Sequence, residues 1–120
     1  PTSGPSSRAD VLDASAAGTL EVVTTRLDTL FGHLPRIDVL KIDVEGADTW
    51  VLRGAERLLR ERRIGAVYFE QITDRMAALG IAPGAAAELL TSSGYVVSRL
   101  RDPKYEGGDD RVTEWQAFPG

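Results

Sequence analysis

The stretch VLKIDVEGAD, residues 39–48, decides how the chain is organised. Its branched apolar residues predict a buried strand over 38–45. Every second position of that strand is charged, at Lys41, Asp43 and Glu45. Because alternate side chains of a strand point to opposite faces, the charged residues should share one face and the apolar residues the other. Gly46 then allows a tight turn out of the strand and into a helix.

Strands and helices alternate on both sides of this stretch. Strands are predicted at 20–25, 38–45, 64–71, 95–100 and 112–118. Helices are predicted at 26–34, 47–63, 74–80 and 83–94. Such alternation is typical of a parallel sheet with right-handed crossovers, and the last two strands predict an antiparallel hairpin. We therefore expect an α/β domain over 20–120, with a mixed, mostly parallel sheet, after an irregular lead-in over 1–19.

Composition narrows the classes of function. The chain has 120 residues, no cysteine and a formal net charge of −4. The absence of cysteine excludes disulfides, thiolate metal sites and thiol nucleophiles. An acidic chain with short apolar runs and no visible signal segment indicates no nucleic-acid partner and no membrane partner. We expect a cytoplasmic protein.

Carboxylates mark the predicted end of the central strand. Ligands of open α/β sheets bind beyond the carboxyl ends of the strands, where Asp43 and Glu45 lie. Glu70 ends the next predicted strand and should reach the same edge. Such carboxylates could attract a cation, hold a divalent metal or accept a proton from a hydroxyl. The alternative is a half-exposed strand face, with Lys41 paired to Asp43 and Glu70 solvated.

Four segments resemble the FkbM-type family of S-adenosylmethionine-dependent methyltransferases. They are TTRLDTL at 24–30, IDVLKIDVEGADTWVLRGAERLL at 37–59, AVYFE at 66–70 and LLTSSGYVV at 89–97. The most specific part is KIDVEGA, 41–47, joined to the LRGA step at 52–55. The resemblance covers about residues 20–100.

This resemblance implies the later half of a Rossmann-like methyltransferase fold. The strand at 38–45 would be the fourth of seven, and the strand at 112–118 the antiparallel seventh. Asp43 would be catalytic and would also face the cofactor, S-adenosylmethionine. Glu45 would be catalytic and Gly46 cofactor-binding, since both belong to the same motif, and Glu70 is the third catalytic candidate. The acceptor would be a hydroxyl of a small molecule, and no metal is required by the pattern.

One part of the family pattern is missing. Gly4, Gly18 and Gly32 are isolated, and none follows a convincing strand into a helix as a cofactor-binding turn should. We therefore expect a carboxyl-terminal portion of a methyltransferase that does not bind S-adenosylmethionine tightly by itself. An exposed sheet edge would then allow self-association.

Two other functions stay open from the sequence. A phospho-acceptor receiver-like α/β domain would also place an aspartate at a strand end, but no acidic pair follows 20–25 and VYFEQI, 67–72, supplies no lysine. The second is a non-catalytic remnant or binding module that folds and binds a partner.

Overall fold

The computed structural model describes residues 23–100 and 111–120. Its helices and strands are α1 (Leu27–Phe31), β1 (Leu40–Lys41), α2 (Asp48–Arg53), α3 (Glu56–Arg60), β2 (Val67–Ile72), α4 (Thr73–Ala78), α5 (Ala85–Ser92), β3 (Tyr95–Leu100) and β4 (Val112–Pro119). The mixed α/β class is confirmed. The lead-in over 1–19 and the first half of the strand predicted at 20–25 lie outside the described residues. Thr24 and Thr25 belong to neither a helix nor a strand.

The described strands form one sheet in the order β1-β2-β4-β3. β1 and β2 are parallel, whereas β4 is antiparallel to both β2 and β3. The mixed sheet and the closing hairpin are therefore confirmed. Three of the four described strands, β1, β2 and β3, run in one direction. Two of their three pairings are nevertheless antiparallel, because β4 lies between β2 and β3.

β1 is much shorter than the strand predicted over 38–45. Only Leu40–Lys41 forms the strand, although the amide of Ile42 still donates to the carbonyl of Tyr68 at a distance of 2.8 Å. The chain then bends into a turn in which Glu45 has a φ of 55° and Gly46 a φ of 96°. These left-handed conformations end the alternation of strand faces, so the prediction that Glu45 shares a strand face with Lys41 was wrong.

The helix predicted over 47–63 is two helices, α2 and α3, separated at Gly54 and Ala55. The break is stabilised by Asp28 from α1. Its amide donates to the carbonyl of Gly54 over 2.8 Å, and its carboxylate accepts from the amides of Arg57 at 2.9 Å and Leu58 at 3.0 Å. Asp28 therefore caps α3 through side-chain hydrogen bonds, as an N-cap residue does within its own helix.

One face of the sheet packs against the helices and forms the core. The fully buried side chains with the largest volumes are Leu52, Leu58, Leu59, Ile64, Leu90, Val67 and Thr49. Burial of each leucine stabilises the fold by about 2 kcal/mol. The rings of Phe69 and Trp115 stack on neighbouring strands with centroids 6.4 Å apart. The parallel pairing of β1 with β2 places their carboxyl ends side by side.

β1 has a free side within the described residues, since its only strand partner there is β2. Val39, just before β1, is 58% exposed. Self-association through this edge stays a prediction. None of the helices within 23–100 and 111–120 has the length and apolar character needed to cross a membrane.

Candidate functional site

Five carboxylates gather at the carboxyl ends of β1 and β2. This acidic group consists of Asp43, Glu45, Asp48, Glu70 and Glu114. Asp43 and Glu45 follow β1, and Asp48 begins α2. Glu70 of β2 stands directly opposite Glu114 of β4 in the antiparallel register. Because five negative charges lie close together, they repel one another and create a region of negative potential at one edge of the sheet.

A cleft of about 400 Å³ opens beside the acidic group. Its lining residues are Lys41, Ile42, Asp43, Tyr68, Phe69, Glu70, Leu100, Glu114 and Trp115. Apolar and aromatic side chains thus form much of the wall, and three carboxylates supply its negative charge. Between the described residues Lys41 and Asp43 there is neither a hydrogen bond nor an ion pair, so the structure does not contain the salt-bridged alternative.

The structure places Asp43 and Glu70 as neighbours at this cleft. In the parallel register Lys41 pairs with Tyr68, and two residues further along each chain lie Asp43 and Glu70. The charge of Asp43 is one of those that raise the pKa of Glu70. The sequence prediction that both residues reach the same sheet edge agrees with this placement.

Glu45 and Gly46 lie outside the described lining of the cleft. The side chain of Glu45 is 66% exposed, lies 3.9 Å from the guanidinium of Arg75, and is absent from the described lining of the cleft. Gly46 is buried, and a Cβ atom there would lie 2.5 Å from the Cβ of Arg75 in α4. The glycine therefore allows the turn to pack against α4. A catalytic role for Glu45 and a cofactor contact by Gly46 stay predictions.

Asp48 belongs to the site but was not predicted from the sequence. This residue is only 2% exposed, and its two carboxylate oxygens accept from the amides of Val44 at 3.2 Å and Glu70 at 2.8 Å. Burial raises its pKa, and the two amide hydrogen bonds oppose that rise. Its position after a tight turn was a signal that it could accept from free amides. The second amide belongs to Glu70 in β2, and the position of Asp48 in the sequence gives no indication of that contact.

The carboxyl of Glu70 has a raised pKa. Burial raises the pKa of its carboxyl most, and the charges of Asp43, Asp48, Glu114 and Glu45 raise it further. A carboxylate with a raised pKa accepts a proton more readily near neutral pH than an ordinary one does. The cleft can therefore attract a cation and accept a proton from a ligand. Within 23–100 and 111–120, no cluster of three or more histidine, aspartate or glutamate residues is arranged to hold a metal ion.

Comparison with known protein families identifies the family of the chain. A model of the methyltransferase FkbM domain matches residues 2–97. The chain belongs to the FkbM methyltransferase family. Searches of curated proteins and of solved structures gave no significant match. The match includes four of the five carboxylates of the acidic group, and the fifth, Glu114, lies on β4 beyond the matched range.

Membership of the FkbM methyltransferase family confirms the resemblance drawn from KIDVEGA and LRGA. It supports a methyltransferase by resemblance and disfavours the receiver-like alternative. In this FkbM chain the KIDVEGA motif forms the end of β1 and the turn after it, while the LRGA step forms the break between α2 and α3. The first of these two segments carries Asp43 to the cleft.

Proposed function

We propose that this chain takes part in methyl transfer from S-adenosylmethionine to a hydroxyl group of a small molecule, at the cleft beside Asp43 and Glu70. One observation supports the proposal above the others. The aspartate of the family motif and a glutamate with a raised pKa line the same cleft, beside apolar and aromatic walls. An acceptor held there would have a candidate base within the site.

The charge of the cleft fits the methyl donor. S-adenosylmethionine supplies an electrophilic methyl group on a positively charged sulfur when it is bound. Asp43, Glu70 and Glu114 supply negative charge, which attracts such a cation more strongly in a partly enclosed cleft than in open water. Asp43 is the motif residue that we expect nearest to the donor and acceptor.

Residues 23–100 and 111–120 would hold only part of S-adenosylmethionine. No glycine-rich turn leads from a strand into a helix anywhere within 23–100 and 111–120, although such turns bind nucleotide-like cofactors in open α/β folds. We therefore propose that these elements are the later half of a Rossmann-like methyltransferase fold. β4, antiparallel to both neighbours, supports its comparison with the seventh strand. We expect affinity for S-adenosylmethionine weaker than micromolar.

The described carboxylates account for the proton that the reaction must remove. S-adenosylmethionine, when bound, would supply the methyl group to the acceptor oxygen and would leave as S-adenosylhomocysteine. The hydroxyl proton passes to the Glu70 carboxylate, whose raised pKa favours its capture, and Asp43 aligns the acceptor. Glu45 takes no part in this proposal because its side chain lies outside the described lining of the cleft.

The proposal is tested by following a labelled methyl group. The purified chain is incubated with methyl-labelled S-adenosylmethionine and a panel of sugars and small alcohols. We expect label on oxygen, with strong loss of transfer in Asp43→Asn and Glu70→Gln and no loss in Glu88→Gln, an exposed carboxylate of α5. Label on nitrogen or carbon would contradict O-methyl transfer. Folded protein that transfers no label would instead favour a non-catalytic binding module.

A further inference from the structure

The ladder between β1 and β2 ends in an unusual way. The amide of Leu40 donates to the carbonyl of Ala66, and the amide of Ile42 donates to the carbonyl of Tyr68. Both hydrogen bonds have a donor–acceptor distance of 2.8 Å. At the next hydrogen-bonding position of β2, the amide of Glu70 donates to Oδ2 of Asp48 at a distance of 2.8 Å. A side-chain carboxylate thus takes the place that the backbone of β1 would occupy if the strand continued.

The other oxygen of the same carboxylate binds the turn after β1. Oδ1 of Asp48 accepts from the amide of Val44 over 3.2 Å, and Val44 directly follows Asp43. A single buried side chain therefore connects the residue after Asp43 to the backbone of Glu70 itself. Among the described residues no cation lies within ion-pair distance of Asp48, so these amides are its main partners.

We propose that Asp48 is a positioning residue, whose two hydrogen bonds join the turn after β1 to β2 through one carboxylate and thereby fix Asp43 and Glu70 as neighbours in the lining of the cleft. This inference rests on the proposed function only in treating that cleft as the place of methyl transfer. The geometry itself does not depend on the identity of the acceptor.

The position of Asp48 has an electrostatic consequence. The acidic groups that raise the pKa of Glu70 are Asp43 and Glu45 from the turn after β1, Asp48 from α2, and Glu114 from β4, and Lys41 of β1 lines the same cleft. Asp48 contributes negative charge beside Glu70 and binds the Glu70 amide at the same time. Removal of its charge should therefore make Glu70 a weaker base, beyond any loss of geometry.

The test uses nuclear magnetic resonance on the whole chain, with Asp48→Asn, Asp48→Ala and Thr49→Ala. Thr49 is the matched control because it is the next residue of α2 and is equally buried. Hydrogen exchange is measured at the amides of Val44, Glu70 and Ile42, of which the last bonds to Tyr68 and not to Asp48. The carboxyl resonance of Glu70 is titrated in each protein.

We expect both Asp48 variants to accelerate exchange at Val44 and Glu70 by about tenfold or more relative to Ile42, since each amide loses a charged acceptor. The pKa of Glu70 should fall in both variants. Thr49→Ala should change the three amides together and leave the Glu70 titration in place. Equal acceleration at all three amides in the Asp48 variants, or an unchanged Glu70 titration, would overturn the proposal.

These measurements need no ligand, so their outcome is separate from that of the methyl-transfer assay. A chain that transfers no label but shows the expected exchange and titration would refute the proposed function and keep the positioning role of Asp48. If the chain transfers label but its Asp48 variants behave like Thr49→Ala, the proposed function is kept and the positioning role of Asp48 is refuted.

Discussion

Oδ2 of Asp48 lies 2.8 Å from the backbone nitrogen of Glu70, although 22 residues separate the two in the sequence. The contact joins the first residue of α2 to the middle of β2, and the same carboxylate also binds the turn after β1. A buried carboxylate that satisfies two amides stabilises three segments at once. The arrangement of the acidic group therefore depends on a residue whose own side chain does not line the cleft.

Asp48→Ala should destabilise the fold by about 2–4 kcal/mol, because two amides that now bind a carboxylate would lose their acceptor. Asp48→Asn should cost less, since the amide oxygen can still accept one hydrogen bond. Urea unfolding measures both. The control is Asp74→Ala, because Asp74 also lies in the first turn of a short helix but is exposed and forms a surface ion pair with Arg111. A cost below about 1 kcal/mol for Asp48→Ala, the range of surface pairs, would refute this role.

Gly46→Ala should destabilise the protein by about 2–4 kcal/mol. The new side chain would adopt a φ of 96° and would also meet the Cβ of Arg75 at 2.5 Å. Gly80→Ala isolates the backbone part of this effect, since Gly80 has a φ of 74° and open space around it. We expect about 1 kcal/mol for Gly80→Ala. Equal losses for the two variants in thermal unfolding would show that the contact with α4 is unimportant.

Asp28→Ala should cost roughly 1–2 kcal/mol and loosen the start of α3, since the carboxylate accepts from two of its first amides. Asp38 provides the comparison, because its side chain is 87% exposed and, among the described residues, forms its ion pair with Arg36. Asp38→Ala should change the free energy of unfolding by less than about 0.5 kcal/mol. Chemical denaturation distinguishes the two, and a neutral Asp28→Ala would remove the capping role.

Glu70→Gln should stabilise the protein more at neutral pH than in acid. Folding raises the pKa of Glu70 above 4.5, so the folded state binds its proton more tightly than the unfolded state does. The ionised form therefore opposes folding above the raised pKa, and this penalty disappears as the pH falls through that pKa towards 4.5. Glutamine removes the penalty.

The check is urea unfolding of wild type and Glu70→Gln at about pH 7 and about pH 4, on either side of this window. The gain from the substitution should be larger at the higher pH. Glu88→Gln on α5 controls for the general effect of one negative charge fewer. A gain that is equal at both pH values, or larger in acid, would contradict the raised pKa of Glu70.

The sequence predicted the elements whose signals are local. β3 has the predicted bounds, 95–100, and α5 lies within the predicted 83–94, because apolar periodicity and flanking Pro83 and Gly94 suffice to define them. The break between α2 and α3 was missed because its cap, Asp28, lies 29 residues before Arg57. The length of β1 was overestimated because the amide of Glu70 binds the side chain of Asp48, which is distant in sequence, and not the backbone of a longer β1.

The candidate site was predictable only where it follows from strand ends. Asp43 and Glu70 could be placed at one sheet edge, since parallel strands bring their carboxyl ends together. Glu114 could not, because the insertion of β4 between β2 and β3 is a matter of topology that local pattern does not encode. Asp48 lies in the first turn of a helix, where acids are common, so its residue type and position did not single it out.

The most direct test of the proposed site compares two ligands by amide nuclear magnetic resonance. S-adenosylmethionine carries a positive charge on its sulfur, whereas S-adenosylhomocysteine does not. We predict that millimolar S-adenosylmethionine shifts the amides of Asp43, Glu70 and Glu114 more than S-adenosylhomocysteine does, and that Asp43→Asn removes this preference. Shifts confined to other parts of the chain, or equal responses to both ligands in the wild type, would contradict the assignment of this cleft to methyl transfer.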